Sequence, residues 1–447
     1  MRIHRFVACQ RIRVLLAVST LLSWPSRGEG QALYYRSIPI GERAIGLGGA
    51  YTGIADDPSA TFYNPAGLMS GGRFQLLGNL SSFEVARDRF DAGFSATDPS
   101  ASADLRLSEE YRMRWWGVSF AMQVKERVSV GISAFVANQS TAYRDDLGLA
   151  FGGSLGEDGV RIDGRSATST TAIGVNYWGL VFRLGALYRI NPRWQLGFMF
   201  QPPGAPIQQE GNIFRRVTGN LEAGSAFFLF DEGGLDTRSP VPFELRAGTE
   251  YRINAQTTLS IDFAVTGPVR DGNVFDRSGE IEALGVNLGA YFPNTTGRRT
   301  TPNAAIGAEH AFGKAVVAGG FFTNISAAPN LPETSVRYLP QQISLFGASV
   351  AVGIDTKGYR LTLGAAGFFG RGDALACTVD REANVRSYRR TKATRSALLI
   401  YLAGALSVAT KGAKAVQKKY QGKKASKPEQ AGEDGDTDTV EPETGPP

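Results

Sequence analysis

The residue types that most often perform chemistry in proteins are scarce in this chain. Its 447 residues include only two cysteines and two histidines. So few thiols and imidazoles cannot supply a convincing Ser/His/Asp or Cys/His arrangement or a set of paired histidine metal ligands. Gly46-x-Gly48 begins like a dinucleotide-binding turn, but Tyr51 stands where the third glycine belongs. The sequence therefore predicts a protein that is not an enzyme and that uses no cofactor or metal.

The charged groups of most interest are Asp56 and Asp57, which directly precede Pro58. One interpretation is that these carboxylates form ion pairs with arginines on later strands, so that breaking the pairs opens a passage. The candidate partners are Arg183, Arg246 and Arg360. The other interpretation is that the carboxylates cap a turn or a short helix ahead of the proline. The sequence leaves both interpretations open.

These carboxylates belong to a stretch, Gly41 to Leu68, that differs from the sequence on either side of it. It reads GERAIGLGGAYTGIADDPSATFYNPAGL. Its glycines permit positive φ and close approach to other backbone, while Pro58 and Pro65 fix φ and remove backbone donors. We expect such a segment to fold compactly against a wall formed by the rest of the chain.

This stretch resembles the N-terminal plug of the FadL/TodX family, which are outer-membrane β-barrels that import hydrophobic compounds. The resemblance is carried by the RAIGLGGAYT run from Arg43 and by the NPAGL run from Asn64. The same residues also resemble related FadL-like barrels such as PorV, which serve protein secretion. The resemblance implies a plug over residues 33–72, inside the lumen of a barrel over residues 73–408. The implied plug or gating residues are Arg43, Gly46, Gly48, Gly49, Asp56, Asp57, Asn64, Pro65, Ala66 and Gly67.

Alternating apolar residues predict strands after this stretch. From Trp116 to Val124 every second residue is apolar, and the pattern resumes at Val128 after the charged turn Lys125 to Arg127. Further copies of the pattern occur at residues 178–188, 194–200, 259–265, 284–288 and 359–363. The last copy, Ser396 to Val408, is too short to cross a bilayer as a helix and is predicted to be a closing strand. We count about fourteen candidate strands.

Composition and turn lengths favour a membrane barrel over a soluble sandwich. The polar faces of the strands mix glycine, alanine, serine and isolated charges, as a crowded lumen would. Short turns also alternate with long predicted loops, which is the pattern of outer-membrane barrels. The long loops are predicted at residues 90–110, 143–166, 201–212 and 373–391. The predicted fold is therefore all-β, a transmembrane antiparallel β-barrel with an N-terminal plug in its lumen.

The two ends of the chain carry other predicted functions. Residues 1–32 have the basic start, apolar core and small residues of a signal peptide. Without residues 1–30, 43 basic residues face 41 acidic ones, so the charge gives no argument for nucleic acid binding. Residues 409–447 are first basic and then acidic, which predicts a disordered, charged periplasmic tail with a possible periplasmic partner.

The function implied by the resemblance is transport of long-chain fatty acids or other hydrophobic compounds across the outer membrane of a Gram-negative bacterium. Trp115 and Phe135 are candidates to line an apolar ligand pocket, or only to fill a narrow lumen. The implied partners are the lipid bilayer, a hydrophobic small molecule and the barrel-assembly machinery. The alternative is a PorV-like barrel that binds protein partners in secretion or surface assembly.

Overall fold

The structure is a computed structural model, and it describes most of the chain between residues 40 and 408. The described ranges are 40–71, 74–91, 94–96, 102–151, 154–155, 161–162, 165–221, 224–238, 241–270, 297–335, 339, 341–356, 359–380 and 385–408. The predicted signal peptide, the predicted tail and the predicted strand at residues 284–288 lie outside these ranges.

Four short helical turns lie within residues 42–71. They are α1 Glu42–Gly46, α2 Ala60–Tyr63, a 3-10 turn Pro65–Gly67 and α3 Leu68–Gly71. Helix α1 ends where Gly48 and Gly49 take φ of 64° and 82°, a conformation that glycine adopts at little cost. Among the described residues, no helix combines the length and the apolar character needed to cross a membrane.

Most of the described chain is β-strand. The strands are β1 Phe74–Phe90, β2 Phe94–Ala96, β3 Ser102–Lys125, β4 Val128–Phe151, β5 Ser154–Leu155, β6 Arg161–Ile162, β7 Arg165–Arg189, β8 Trp194–Gln201, β9 Ala205–Leu221, β10 Gly224–Asp236, β11 Glu244–Arg252, β12 Thr257–Thr266, β13 Thr301–Phe312, β14 Ala315–Asn324, β15 Thr334–Ser335, β16 Gln342–Asp355, β17 Tyr359–Asp380 and β18 Val385–Val408. Fourteen of these eighteen described strands have eight or more residues.

One large sheet contains nearly all of these strands, and its neighbours are mainly antiparallel strands adjacent in the sequence. Its main path runs β1-β18-β17-β16-β14-β13-β12-β11-β8-β7-β4-β3, so the first strand pairs with the last. Strands β8 and β9 both pair with β7, one after the other along its length. The predicted all-β antiparallel fold is confirmed, while closure of the sheet between β1 and β3 stays a prediction.

The charged turn predicted at Lys125 to Arg127 joins β3 to β4, but the predicted long loops are wrong over much of their length. Strands β3, β4, β9 and β17 continue through residues 102–110, 143–151, 205–212 and 373–380. The apolar alternation fades there, yet backbone pairing persists because a ladder needs only N–H and C=O groups. Residues 396–408 lie in β18, which confirms the predicted strand.

The sheet carries its apolar side chains on the exposed face. Val118, Phe321 and Leu363 are 77%, 69% and 58% exposed, and they belong to a large set of exposed apolar residues on the described strands. On the opposite face, Arg183 and Asp262 are only 2% and 0% exposed. Water-soluble proteins show the reverse arrangement, with apolar groups inside and charges outside. We call the face with the buried charges the inner face.

Candidate functional site

The inner face surrounds the N-terminal residues 40–71, which we call the inner segment. This segment makes hydrogen bonds or close contacts with nine successive strands of the path, from β4 through β17. Because one segment of about thirty residues reaches nine neighbouring strands, the sheet curves around it. That this segment acts as a plug stays a prediction.

Glycines on the strands allow the inner segment to lie directly against the sheet. A Cβ atom at Gly197 would lie 2.1 Å from the carbonyl oxygen of Thr52, and one at Gly320 would lie 2.4 Å from the carbonyl carbon of Leu47. Other glycines of this kind are Gly131, Gly185, Gly248 and Gly307. These residues bring backbone against backbone, which only glycine permits. Sequence analysis noted small residues on these faces but did not identify the glycines as contacts of the inner segment.

The predicted glycines of the inner segment itself are also close-contact positions. A Cβ atom at Gly67 would lie 1.8 Å from the carbonyl oxygen of Ala55, and one at Gly46 would lie 2.9 Å from the Cβ of Ala351 on β16. Ala66 is fully buried. The glycines and Ala66 therefore serve the packing of the inner segment.

Arg43 links the inner segment to β13 through a bidentate ion pair with Glu309. Its Nε donates to Glu309 Oε2 at 2.7 Å, and a second guanidinium nitrogen contacts the other carboxylate oxygen of Glu309. A third nitrogen of the guanidinium pairs with Asp56. The Tyr51 hydroxyl also donates to Asp56, at 2.8 Å. Arg43 thus joins two carboxylates that lie 253 residues apart.

Asp56 and Asp57 have different roles. The ion pair of Asp56 is with Arg43 of the same segment rather than with one of the predicted strand arginines. Asp57 accepts from the Ser59 backbone N–H at 2.7 Å and from the Ser59 hydroxyl, which confirms the turn-capping interpretation for this residue. Burial raises the pKa of Asp57. Burial alone would also raise the pKa of Asp56, but the Arg43 guanidinium outweighs it and holds that pKa below its usual value.

Asn64 and Pro65 anchor the other end of the inner segment. The Asn64 side-chain nitrogen donates to the carbonyl oxygens of Thr52 and of Ala186 on β7, both at 3.0 Å. Its side-chain oxygen accepts from Ala66 N at 3.2 Å and caps the 3-10 turn, in which Pro65 takes the first position. One buried amide therefore holds a turn, a neighbouring loop and a strand together.

Two strand arginines contact the aromatic residues of the inner segment. The guanidinium carbon of Arg183 on β7 lies 3.7 Å from the ring centre of Phe62, and that of Arg246 on β11 lies 5.2 Å from the ring of Tyr63. Arg183 also contacts the carbonyl oxygen of Phe62. Glu244 balances both charges, at 3.5 Å from Arg183 and 2.5 Å from Arg246. One interpretation of the sequence paired these arginines with Asp56 and Asp57, whereas the structure pairs them with Glu244, which the sequence did not indicate.

Asp262 on β12 holds the middle of the inner segment. Its Oδ2 accepts from the backbone N–H groups of Tyr51 and Thr52 at 3.1 and 2.8 Å. Both donors precede the short turn that leads to Asp56. A carboxylate on the inner face therefore binds main chain, which no pattern of side chains in the sequence indicates.

Glu42, at the start of α1, is a buried carboxylate with an unusual pKa. It is 2% exposed, accepts from the Thr362 hydroxyl at 3.1 Å and lies 3.9 Å from the Arg360 guanidinium. Burial is the main reason that its pKa is raised from 4.5 to about 7. Arg360 and the Thr362 hydrogen bond lower this pKa, while Asp57 and Asp355 contribute to the rise. Sequence analysis missed Glu42.

We expect attachment of the inner segment to weaken as pH rises from 4.5 to about 7. In that window the docked segment holds a proton on Glu42 that the released segment gives up, so docking is favoured at low pH and disfavoured as pH rises. Hydrogen exchange of the backbone amides of residues 44–55, followed from pH 4.5 to 7.5 and corrected for intrinsic rates, measures this effect. Glu42→Gln should remove most of the dependence near neutral pH, and an unchanged profile in that variant would refute the assignment.

Trp115 and Phe135 lie next to the inner segment, on its side away from the short turns. Their ring centres are 5.3 Å apart, and the ring of Phe62 lies 5.6 Å from Trp115. They belong to an apolar cluster on the inner face, which we call the aromatic cluster. Its members are Trp115, Phe135, Ala137, Tyr177, Val181 and Val241. The structure thus brings the two predicted ligand residues together.

The fold and the site define an all-β protein whose antiparallel sheet curves around its own N-terminal segment. In the described part of the chain, no group of three histidine, cysteine or acidic residues is placed to hold a metal ion. No family model matches the chain, and comparison with curated proteins finds no significant match.

Solved structures similar to this chain include a channel, a FadL homologue and a transporter. The monoaromatic hydrocarbon channel CymD is 14% identical, with a TM-score of 0.44, over 83% of this chain and 98% of that chain. A FadL homologue of Pseudomonas aeruginosa is 11% identical, with a TM-score of 0.45 and the same coverage. The toluene transporter TodX of Pseudomonas putida is 11% identical, with a TM-score of 0.41, over 81% of this chain and 98% of that chain.

Proposed function

We propose that this chain is an outer-membrane β-barrel that transports hydrophobic compounds past its inner segment. The observation that carries the proposal is the inverted polarity of the sheet, with apolar side chains outside and paired charges inside. Lipid stabilises an exposed apolar face, and a barrel wall satisfies its backbone groups between strands. The RAIGLGGAYT and NPAGL runs of the inner segment support the same class of protein.

The height of the exposed apolar face fits a bilayer. On β16 the exposed apolar residues extend from Phe346 to Ile354. At about 3.4 Å per residue these nine positions cover about 27 Å along the strand. A tilted strand needs about 9–11 residues to cross the hydrocarbon core. The outer face therefore suits lipid contact over a single bilayer.

The inner segment and the aromatic cluster supply the parts of a gated path. An apolar solute enters a water-filled pore poorly, whereas an apolar cluster such as that around Phe135 can take it up. The inner segment is held by separable polar contacts, including those of Arg43 and Asn64. We propose that release of some of these contacts lets the solute pass, and that long-chain fatty acids are among the compounds carried.

Binding of oleate by the refolded protein tests this function. We expect saturable binding, read from intrinsic tryptophan fluorescence because Trp115 lies in the aromatic cluster. The double variant Asn64→Ala, Pro65→Ala loses the buried amide that joins Thr52, Ala186 and Ala66, which costs about 1–3 kcal/mol of docking free energy. Flux of oleate into liposomes should therefore rise in the variant.

A surface amide provides the control. Asn191→Ala, in an exposed turn between β7 and β8, should leave binding and flux at parent levels. If the folded parent binds no oleate and no other apolar compound, the transport proposal fails. The partner-binding barrel would then be the better account.

A further inference from the structure

Two hydrogen-bond donors in the aromatic cluster are buried without a partner. Trp115 Nε1 and the Tyr177 hydroxyl have no solvent exposure and no hydrogen bond within the described structure. Tyr177 as a whole is 1% exposed. An unsatisfied buried donor costs about 1–3 kcal/mol, so two in one cluster call for an explanation.

Part of the surroundings of Trp115 and Tyr177 lies outside the strands. Phe62 of helix α2 packs on Trp115, and the Tyr177 hydroxyl lies across Gly179 and beside Gly204. Gly204 donates to the carbonyl oxygen of Val241, in the irregular segment between β10 and β11. Phe62 and Gly204 can therefore move without breaking a strand pairing, since neither belongs to a strand.

We propose that the aromatic cluster binds an apolar compound that carries an uncharged hydrogen-bond acceptor, such as a ketone or an ester. The acceptor takes a bond from Trp115 Nε1 or from the Tyr177 hydroxyl, while the rest of the compound packs on Phe135 and Val181. The inference rests on the proposed function and specifies its substrate class. Recovery of an unmet hydrogen bond distinguishes such a compound from a plain hydrocarbon.

The acceptor is uncharged because the guanidinium that lies against the cluster in the described structure is already engaged. The guanidinium carbon of Arg183 lies 4.9 Å from the centre of the Trp115 ring. It already contacts Gln201 at 2.9 Å, the Phe62 carbonyl oxygen and Glu244. Trp115 and Tyr177 contribute neutral donors only. A carboxylate in this cluster would lose its water without gaining a cation, so a fatty acid such as oleate is expected to place its alkyl chain, and not its carboxylate, in the cluster.

Affinities of three ligands of equal chain length test this inference. Dodecane, 2-dodecanone and dodecanoate compete with N-phenyl-1-naphthylamine for the refolded protein. We expect 2-dodecanone to bind at least about 5-fold more tightly than dodecane, since each hydrogen bond contributes a factor of about 2–10. Tyr177→Phe and Trp115→Phe should each reduce that ratio about 3-fold. The controls Tyr188→Phe and Trp116→Phe, on the same strands but directed to the outer face, should keep the ratio of the parent.

Folding of the variants has its own readout. Because the Tyr177 hydroxyl has no partner, Tyr177→Phe should unfold at the same denaturant concentration as the parent or higher. Equal affinity for dodecane and 2-dodecanone would overturn the inference and leave hydrophobic transport standing. Tighter binding of dodecanoate than of the ketone would overturn the uncharged assignment. Absence of binding by all three would overturn the proposed function as well.

Discussion

Arg43→Met is expected to weaken docking of the inner segment by about 3–5 kcal/mol, the cost of breaking a buried ion pair by removing one partner. The side chains of Arg43 and Glu309 are only 12% and 11% exposed. Without the guanidinium, the Glu309 carboxylate loses two contacts and Asp56 loses its ion pair, while neither regains full access to water. Amide hydrogen exchange of residues 44–55 should become about 100-fold faster or more.

The matched control for this variant is Arg371→Met. The Arg371–Asp91 pair, at 3.4 Å, has side chains that are 64% and 54% exposed, so its loss should cost less than about 1 kcal/mol. Adding Glu309→Gln and Asp56→Asn to Arg43→Met removes the two carboxylates that lost their ion pairs. The triple variant should recover part of the protection of residues 44–55 from hydrogen exchange. Parent-like exchange in Arg43→Met alone would show that the pair does not hold the inner segment.

The second large effect on docking of the inner segment is expected from Gly320→Ala, which adds a single methyl group. Gly320→Ala places a Cβ atom 2.4–2.6 Å from three backbone atoms of Leu47 and Gly48. Backbone cannot move aside as the end of a side chain can, so the cost reaches about 3 kcal/mol, the upper part of the range for overpacking. We expect the inner segment to be displaced while the sheet remains folded. Faster exchange in residues 44–55 with unchanged exchange in β14 and β16 measures this.

The neighbouring glycine provides the control for Gly320→Ala. A Cβ atom at Gly319, on the same strand but the opposite face, would lie 3.6 Å from the nearest atom, which is an ordinary contact. Gly319→Ala should therefore leave exchange of the inner segment unchanged. Equal effects of the two substitutions would mean that altered strand propensity, rather than collision with Leu47, is responsible.

The strands were predictable because their pattern is local. Alternation at residues 116–124 and 128–136, with a charged turn between them, specifies a hairpin whatever the rest of the chain does. The structure pairs β3 with β4 at this turn. Alternation does not say where a strand ends once its apolar residues stop, which is why the predicted loops at residues 143–166 and 201–212 were partly wrong.

The contacts of the inner segment were not predictable because they join distant parts of the chain. The conspicuous pair Asp56 and Asp57 suggested direct bonds to strand arginines, but Arg43 mediates the ion-pair contact to the wall. Its partner Glu309 is 266 residues away, and nothing in either sequence position specifies the other. The same holds for Asp262, which binds backbone N–H groups that every residue except proline has.

The contacts of the inner segment with β16 and β17 have a consequence for how this chain folds. The contacts of Glu42 with Thr362 and of Gly46 with Ser349 span 320 and 303 residues, so they form only after β16 and β17 have been synthesised. Closing such long loops lowers the entropy of the chain before the contacts stabilise the fold. Folding that depends on contacts between distant residues is therefore slow. The inner segment precedes every described strand in the sequence, but it completes these contacts only once β16 and β17 are present.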